Sequence, residues 1–218
     1  MNEIPSLTHV VMVRHGETEW NLEGRVQGML DSCLSERGIA QAKAVGDALA
    51  RESIDLIYAS DLGRTQQTAA LISQALGAVG LTIKLDPRLR ERSYGDLESL
   101  TWPEIERTQP EAFVRINARD PDYAPPNGES PIMFRDRVIP ALTEIARASE
   151  GSRILVITHG GVVGTLYRHA MSMSLEEKRR YALFNASINR FRYVDDTWHL
   201  DVWGDISHLD ELLPRDEP

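Results

Sequence analysis

The 218-residue sequence holds a single cysteine, Cys33. An internal disulfide is therefore excluded, and with it the stapled frameworks of small secreted domains. Cys33 is no candidate nucleophile of a cysteine phosphatase loop either, because such a loop needs an arginine six positions on, where this chain has Ile39. A partly buried structural thiol is expected. No apolar stretch approaches the length of a bilayer span, and Met1-Asn2-Glu3-Ile4-Pro5 lacks the basic start and apolar body of a secretory leader. A cytoplasmic protein with no membrane partner is the expectation. Basic excess is missing as well: 24 Lys and Arg stand against 33 Asp and Glu, for a formal charge of −9. That balance argues against a nucleic-acid partner. It still admits a small anion, since a few arginines make a local positive pocket. Also absent are a Gly-Lys-Ser/Thr after the Gly-rich stretch 24–28, a Gly-x-Ser-x-Gly elbow and a His-Glu-x-x-His helix.

What remains is an ordinary globular composition, 42% apolar and 26% charged, in a chain long enough for one sizeable core. A single domain over 1–218 is expected. Short β-branched runs at 8–13, 54–58, 81–85 and 153–158 read as buried strands, alternating with helical patterns at 36–51, 63–76, 131–149 and 161–170. Ser35 and Ser130 are candidate N-caps, the latter followed by Pro131 at the first helical position, and Ser60-Asp61 would cap the helix from 63. Alternating runs at 188–194 and 198–203 suggest a closing antiparallel pair turned at Asp195-Asp196, and the acidic, proline-containing tail 210–218 is expected to fray. The proline-punctuated stretch 93–129 reads as an excursion over one face of the sheet, with Arg107, Arg115 and Arg119 scattered along it. Strands alternating with helices predict an α/β layered fold around a mostly parallel sheet.

Two of the strands end alike. Val10-Val11-Met12-Val13 runs into Arg14-His15-Gly16, and Ile154-Leu155-Val156-Ile157 runs into Thr158-His159-Gly160-Gly161. Ligands of open α/β sheets bind at the carboxyl ends of strands, so two imidazoles at two such ends could share one site. A neutral imidazole is a competent nucleophile toward phosphorus, and covalent catalysis divides one hard displacement into two easier ones. Arg14, and Arg64 in the first turn after the strand at 54–58, would clamp the charged oxygens with planar, permanently charged forks. Gly16 would let the backbone approach closely. Glu91, after the strand at 81–85, is a carboxyl group placed to protonate a leaving alkoxide. A metal site built from His15, His159 and Glu91 is disfavoured by the arginines beside them. His9, His169, His199 and His208 read as structural, His208 as a docking residue near the sheet edge.

Arg14-His15-Gly16-Glu17-Thr18-Glu19-Trp20-Asn21 resembles the signature of the histidine phosphatase superfamily, the group that includes cofactor-dependent phosphoglycerate mutases and many small-molecule phosphatases. Gly24 to Gly28, Ser60 to Ala69, Leu89 to Gly95, Thr158 to Gly161 and Asp205 to Leu209 are similar to its further motifs. The resemblance implies a three-layer α/β/α sandwich with His15 as the phosphorylated nucleophile. Arg14, Arg64 and His159 would hold the phosphoryl group, and Asn21 would assist. Gln27, Gly28 and Gly160 would lie on the substrate side, with Glu91 as general acid and base and no metal. One departure stands out: Gly95-Asp96-Leu97-Glu98-Ser99 ends in serine where the family commonly has glycine, which puts the local turn in question. The resemblance implies a metal-independent phosphatase acting on a small phosphorylated metabolite without a cofactor. The alternatives are a mutase primed by bisphosphoglycerate and a non-catalytic phospholigand-binding module. The short 93–129 stretch favours the phosphatase, and pairing as a homodimer stays open.

Overall fold

The computed structural model describes residues 7–77, 80–178 and 180–210; the rest lie outside the described residues, among them 211–218 of the tail expected to fray at 210–218. Six strands form one sheet: β1 (Leu7–Arg14), β2 (Leu56–Ala59), β3 (Ile83–Leu85), β4 (Arg153–Thr158), β5 (Ile188–Val194) and β6 (Thr197–Asp205). Their order is β3-β2-β4-β1-β5-β6, with β1 to β4 mutually parallel, β5 antiparallel to β1 and β6 antiparallel to β5. The hairpin turns at Asp195-Asp196, both at positive φ, as the sequence suggests.

Helices cover both faces: α2 (Glu36–Leu49) and α3 (Gly63–Ala75) on one, α6 (Pro131–Ala148) and α7 (Gly160–Ala170) on the other. The alternation of β1 explains why its run is apolar throughout. Val11 and Val13 pack with Val45, Leu49 and Ile72, while Val10 and Met12 pack with Phe134, Leu142, Val162 and Leu166. A strand buried on both faces has no solvent side to be polar on. Each such side chain contributes roughly 1.5–3 kcal/mol on burial.

Ser35 caps α2 by accepting from the Gly38 N–H at 3.0 Å, and Ser130 caps α6 by accepting from the Met133 N–H at 3.2 Å. The start of α3 differs from the expectation. Asp61 does not cap it but forms a bidentate ion pair with Arg90, both bonds at 2.6 Å. Asp31 takes over from a distant loop, accepting from the Gly63 N–H and, at 3.2 Å, from the Arg64 N–H. Cys33 is exposed rather than partly buried.

The excursion after β3 carries α4 (Trp102–Thr108) and α5 (Pro110–Asn117), the former opened by a capping box between Thr101 and Glu104. It has a small core of its own, in which Val26, Leu97, Ile105 and Ala112 are buried together. Ser99 keeps the turn that its family resemblance assigns to glycine: φ is +71°. Its N–H donates to the Val26 carbonyl at 2.8 Å, and its carbonyl accepts from Arg25 Nη1 at 2.9 Å, which holds an L-residue in the left-handed region. That conformation costs a non-glycine residue about 1–2 kcal/mol, partly offset in glycine by lost chain entropy. Ser99→Gly is expected to stabilise the protein by about 1 kcal/mol, read as a rise in melting temperature of roughly 2–4 °C; a fall would show that the bonds at Ser99 need its Cβ.

Candidate active site

The site is set by register. β1 and β4 are neighbours, with Arg14 opposite Thr158, so the residues that follow, His15 and His159, emerge side by side. The His15 N–H donates to the Thr158 carbonyl at 2.9 Å, continuing the ladder one residue past the strand. The two rings lie 5.3 Å apart, centroid to centroid, at 63°. β2 flanks β4 on the other side, and there Ser60 Oγ sits 2.8 Å from His159 Nε2.

The His15 tautomer can be read from its partner. His15 Nδ1 lies 2.8 Å from the Gly16 carbonyl, which can only accept, so Nδ1 carries the proton and Nε2 keeps its lone pair. Ser60 Oγ accepts from the Leu62 N–H at 3.4 Å and can give its own proton to His159 Nε2. His159 Nδ1 is buried without a partner among the described residues. Burial, followed by the positive charges of Arg64 and Arg14, holds the His15 pKa well below its ordinary value. Burial, then Arg64, His15 and Arg14, does the same to His159.

Arg64 is 1% exposed. Its Nη1 donates to the Leu30 carbonyl at 2.7 Å and to Asp31 Oδ1 at 3.0 Å, and its Nη2 to the Gly28 carbonyl at 2.8 Å. Nε is buried with no partner among the described residues. Gly28 thus acts as an acceptor that aims Arg64. Arg14 Nη1 donates to the Leu183 carbonyl, and Gly160 lies against the Arg14 guanidinium. A buried donor left unsatisfied costs about 1–3 kcal/mol; Arg64 Nε is one, and His159 Nδ1 is a second buried polar atom with no partner among the described residues. An oxyanion would satisfy them.

The role of Gly16 differs from the expectation. A Cβ there would meet the Gly38 carbonyl oxygen at 2.5 Å, so its bareness admits the first turn of α2, and its N–H goes to Thr68 Oγ1 at 3.1 Å. The short helix α1 (Glu19–Leu22) follows, capped by Thr18. Asn21 closes that capping box with Oδ1 on the Thr18 N–H at 3.2 Å, and Gln27 Nε2 donates to Thr18 Oγ1 at 2.8 Å.

Glu91 lies across from Arg14. Its Oε2 accepts from the Gly161 N–H at 2.9 Å and its Oε1 from the Arg92 N–H at 2.8 Å. The carboxylate occupies the place a side chain at 161 would need, because a Cβ there would come within 2.0 Å of Oε1. Two residues that the sequence reading did not single out hold this loop. Arg137 on α6 donates to the carbonyls of Arg88, Arg90 and Glu91 at 2.8, 3.0 and 3.2 Å, and Glu129 accepts from both Arg137 and the Ser93 N–H. Nothing in the sequence distinguishes Arg137 from the solvated arginines of an amphipathic helix. Glu98 was legible only as part of a motif. Its carboxylate accepts from the N–H groups of Met29, Leu30 and Tyr94, tying the Gly28 loop to the acid loop.

A cavity of about 660 Å³ opens above Arg14, Glu91 and Gly160, walled by Tyr94, Trp102 and Tyr123 of the excursion and by Tyr181. Of the three scattered arginines only Arg119 lines it; Arg115 pairs with Asp120 and Arg107 is exposed. No group of three or more His, Cys, Asp or Glu among the described residues is arranged to hold a metal. No helix among them is long and apolar enough to cross a membrane.

Two histidines, two arginines and a carboxyl group gathered at the carboxyl edge of a parallel sheet make a site suited to phosphoryl transfer. The histidine phosphatase superfamily (branch 1) matches residues 10–206, and the chain belongs to that family. It is 40% identical to phosphoglycerate mutase-like protein 4 of Arabidopsis thaliana, over 93% of this chain and 87% of the relative. It is 38% identical to a metal-independent phosphoserine phosphatase of the same plant, over 94% and 85%. Among solved structures it is similar to YhfR of Bacillus stearothermophilus, at a TM-score of 0.87 and 34% identity, covering 93% of this chain and all of that one.

The lowered histidine pKa values give a pH prediction. The folded rings bind protons only below the value of about 6.5 that histidine has in the unfolded chain. The unfolded state therefore holds more protons in that window, and stability falls as the pH drops below 6.5. We expect the melting temperature to decrease between pH 7 and pH 5, and the His15 imidazole resonance to titrate with a midpoint below 6.5. A midpoint at or above 6.5 would contradict the burial argument.

Proposed function

We propose that the protein hydrolyses small phosphate monoesters through a phosphohistidine on His15. The observation that carries this reading is the His15 tautomer: Nδ1 is tied to the Gly16 carbonyl, and Nε2 is left as a buried lone pair beside arginine. In the first step Nε2 attacks phosphorus and the ester oxygen leaves, taking a proton from the acid form of Glu91. In the second, Glu91 as carboxylate removes a proton from water, whose oxygen attacks the phosphohistidine and releases inorganic phosphate and free His15. Arg14 and Arg64 Nε neutralise the charge spread over the three equatorial oxygens in the transition state, and His159 donates a hydrogen bond to them. Asn21 adds a further donor.

The Arabidopsis relative described as a metal-independent phosphoserine phosphatase supports hydrolysis, and the one described as phosphoglycerate mutase-like supports a second reading. In the mutase, the phosphoryl group passes from His15 back to a bound organic hydroxyl instead of to water. Hydrolysis is favoured, because the excursion after the acid loop is short.

Brief incubation with ³²P-labelled substrate and alkaline quench is expected to trap label on His15, and His15→Ala should lose both label and hydrolysis of p-nitrophenyl phosphate. Label on another side chain, or near-normal turnover by the variant, would end the assignment. Mutase activity with bisphosphoglycerate primer should be weak beside hydrolysis; the reverse ratio selects the second reading. Full activity is expected to survive EDTA, and loss restored by a divalent ion would contradict the absence of a metal step.

A further inference from the structure

We infer that Asn185 is a positioning residue for phosphoryl transfer: it fixes the orientation of the Asn21 amide beside the nucleophile. The inference rests on the reading of His15 as the phosphorylated residue.

Asn185 Nδ2 donates one hydrogen to the His15 carbonyl at 3.1 Å and the other to Asn21 Oδ1 at 3.2 Å. The polarity of this chain of bonds is fixed at both ends. A carbonyl only accepts, so the Asn185 atom facing His15 is nitrogen. The Thr18 N–H only donates, so the Asn21 atom facing it at 3.2 Å is oxygen. Asn21 Oδ1 is thereby held by two donors, and its Nδ2 becomes the end that can face an anion. No acceptor engages that Nδ2 among the described residues. Without Asn185 the Asn21 amide would keep a single tether at Thr18, and rotation would cost it little.

The segment that carries Asn185 is itself held under constraint. Ala186 lies at φ +56°, a left-handed conformation that costs a non-glycine residue about 1–2 kcal/mol. Such strain persists where the surroundings over-determine it. Here the Ala186 N–H donates to the carbonyls of Arg14 and His15 at 3.0 and 3.3 Å, and His208 Nε2 donates to the Ala186 carbonyl at 3.0 Å. The backbone at 185–186 is thus pinned to the catalytic strand end independently of the Asn185 side chain. Removing that side chain should leave the turn standing.

The test is a double-mutant cycle between Asn185→Ala and Asn21→Ala, read as kcat and KM for p-nitrophenyl phosphate and as the affinity for orthovanadate, a mimic of phosphorus in transfer. In the otherwise native protein, Asn185→Ala is expected to lower kcat at least tenfold, to change KM less than threefold and to weaken vanadate binding. In the Asn21→Ala background the same substitution should change kcat and vanadate affinity less than twofold, because the group it orients is gone. A merely structural Asn185 would give the same fold loss in both backgrounds, and that result overturns the inference, as does an unchanged kcat or vanadate affinity in the single variant. Should the alanine variant not fold, the near-isosteric, uncharged Asn185→Leu serves in its place. It keeps the shape and loses the donors, so the same pattern is expected. Unlabelled His15 in the native enzyme would be a failure of the phosphohistidine reading, separate from this one.

Discussion

The register of two adjacent parallel strands governs the rest of this molecule. With Arg14 opposite Thr158, a one-residue slip of β1 against β4 would separate the two imidazoles along the sheet and turn their side chains to opposite faces. Register is strongly specified here because β1 is apolar on both faces and β4 is buried along nearly all its length. The cost of a slip is thus paid in core packing on both sides of the sheet. The chemistry depends on hydrophobic burial that never touches a substrate.

Around that register, charge is managed by loops rather than by strands. Arg64 is a fully buried cation whose fork is divided between two carbonyls and one half-exposed carboxylate. Its companions are histidines that burial keeps uncharged. An arginine neutralised by a single buried carboxylate would be electrostatically satisfied and indifferent to an anion. Carbonyl dipoles hold its position without cancelling its charge, which leaves the site positive in a protein whose net charge is −9.

The sequence makes the sheet and its four flanking helices legible because each carries a period or a cap within a few residues. Ser35 and Ser130 cap the helices they precede, and the strand ends fall within about two residues of the expected positions. His15, His159, Arg14, Arg64 and Glu91 are legible because each ends a strand or follows one closely. What stays hidden acts across sequence distance. Asp31 caps a helix more than thirty residues away while Asp61, the adjacent candidate, is drawn off by Arg90. Asn185 reaches back to His15 and Asn21 from a loop with no regular period of its own. Arg137 and Glu129 look like surface charges until the fold folds three carbonyls over them. Gly16 is visible as a need for space, but the sequence does not tell whether ligand or helix fills it.

Glu91 ends with a double duty. Helix α7 begins at Gly160 with no side-chain cap from His159, and the free N–H of Gly161 finds its acceptor in the Glu91 carboxylate. In many enzymes the reactive groups are held against the preference of the fold, and drift away from function gains robustness. At position 91 the two pressures run together. A lineage abandoning catalysis would have reason to keep this acid for the sake of the helix, so its persistence among distant descendants would not by itself signify that they still turn over substrate.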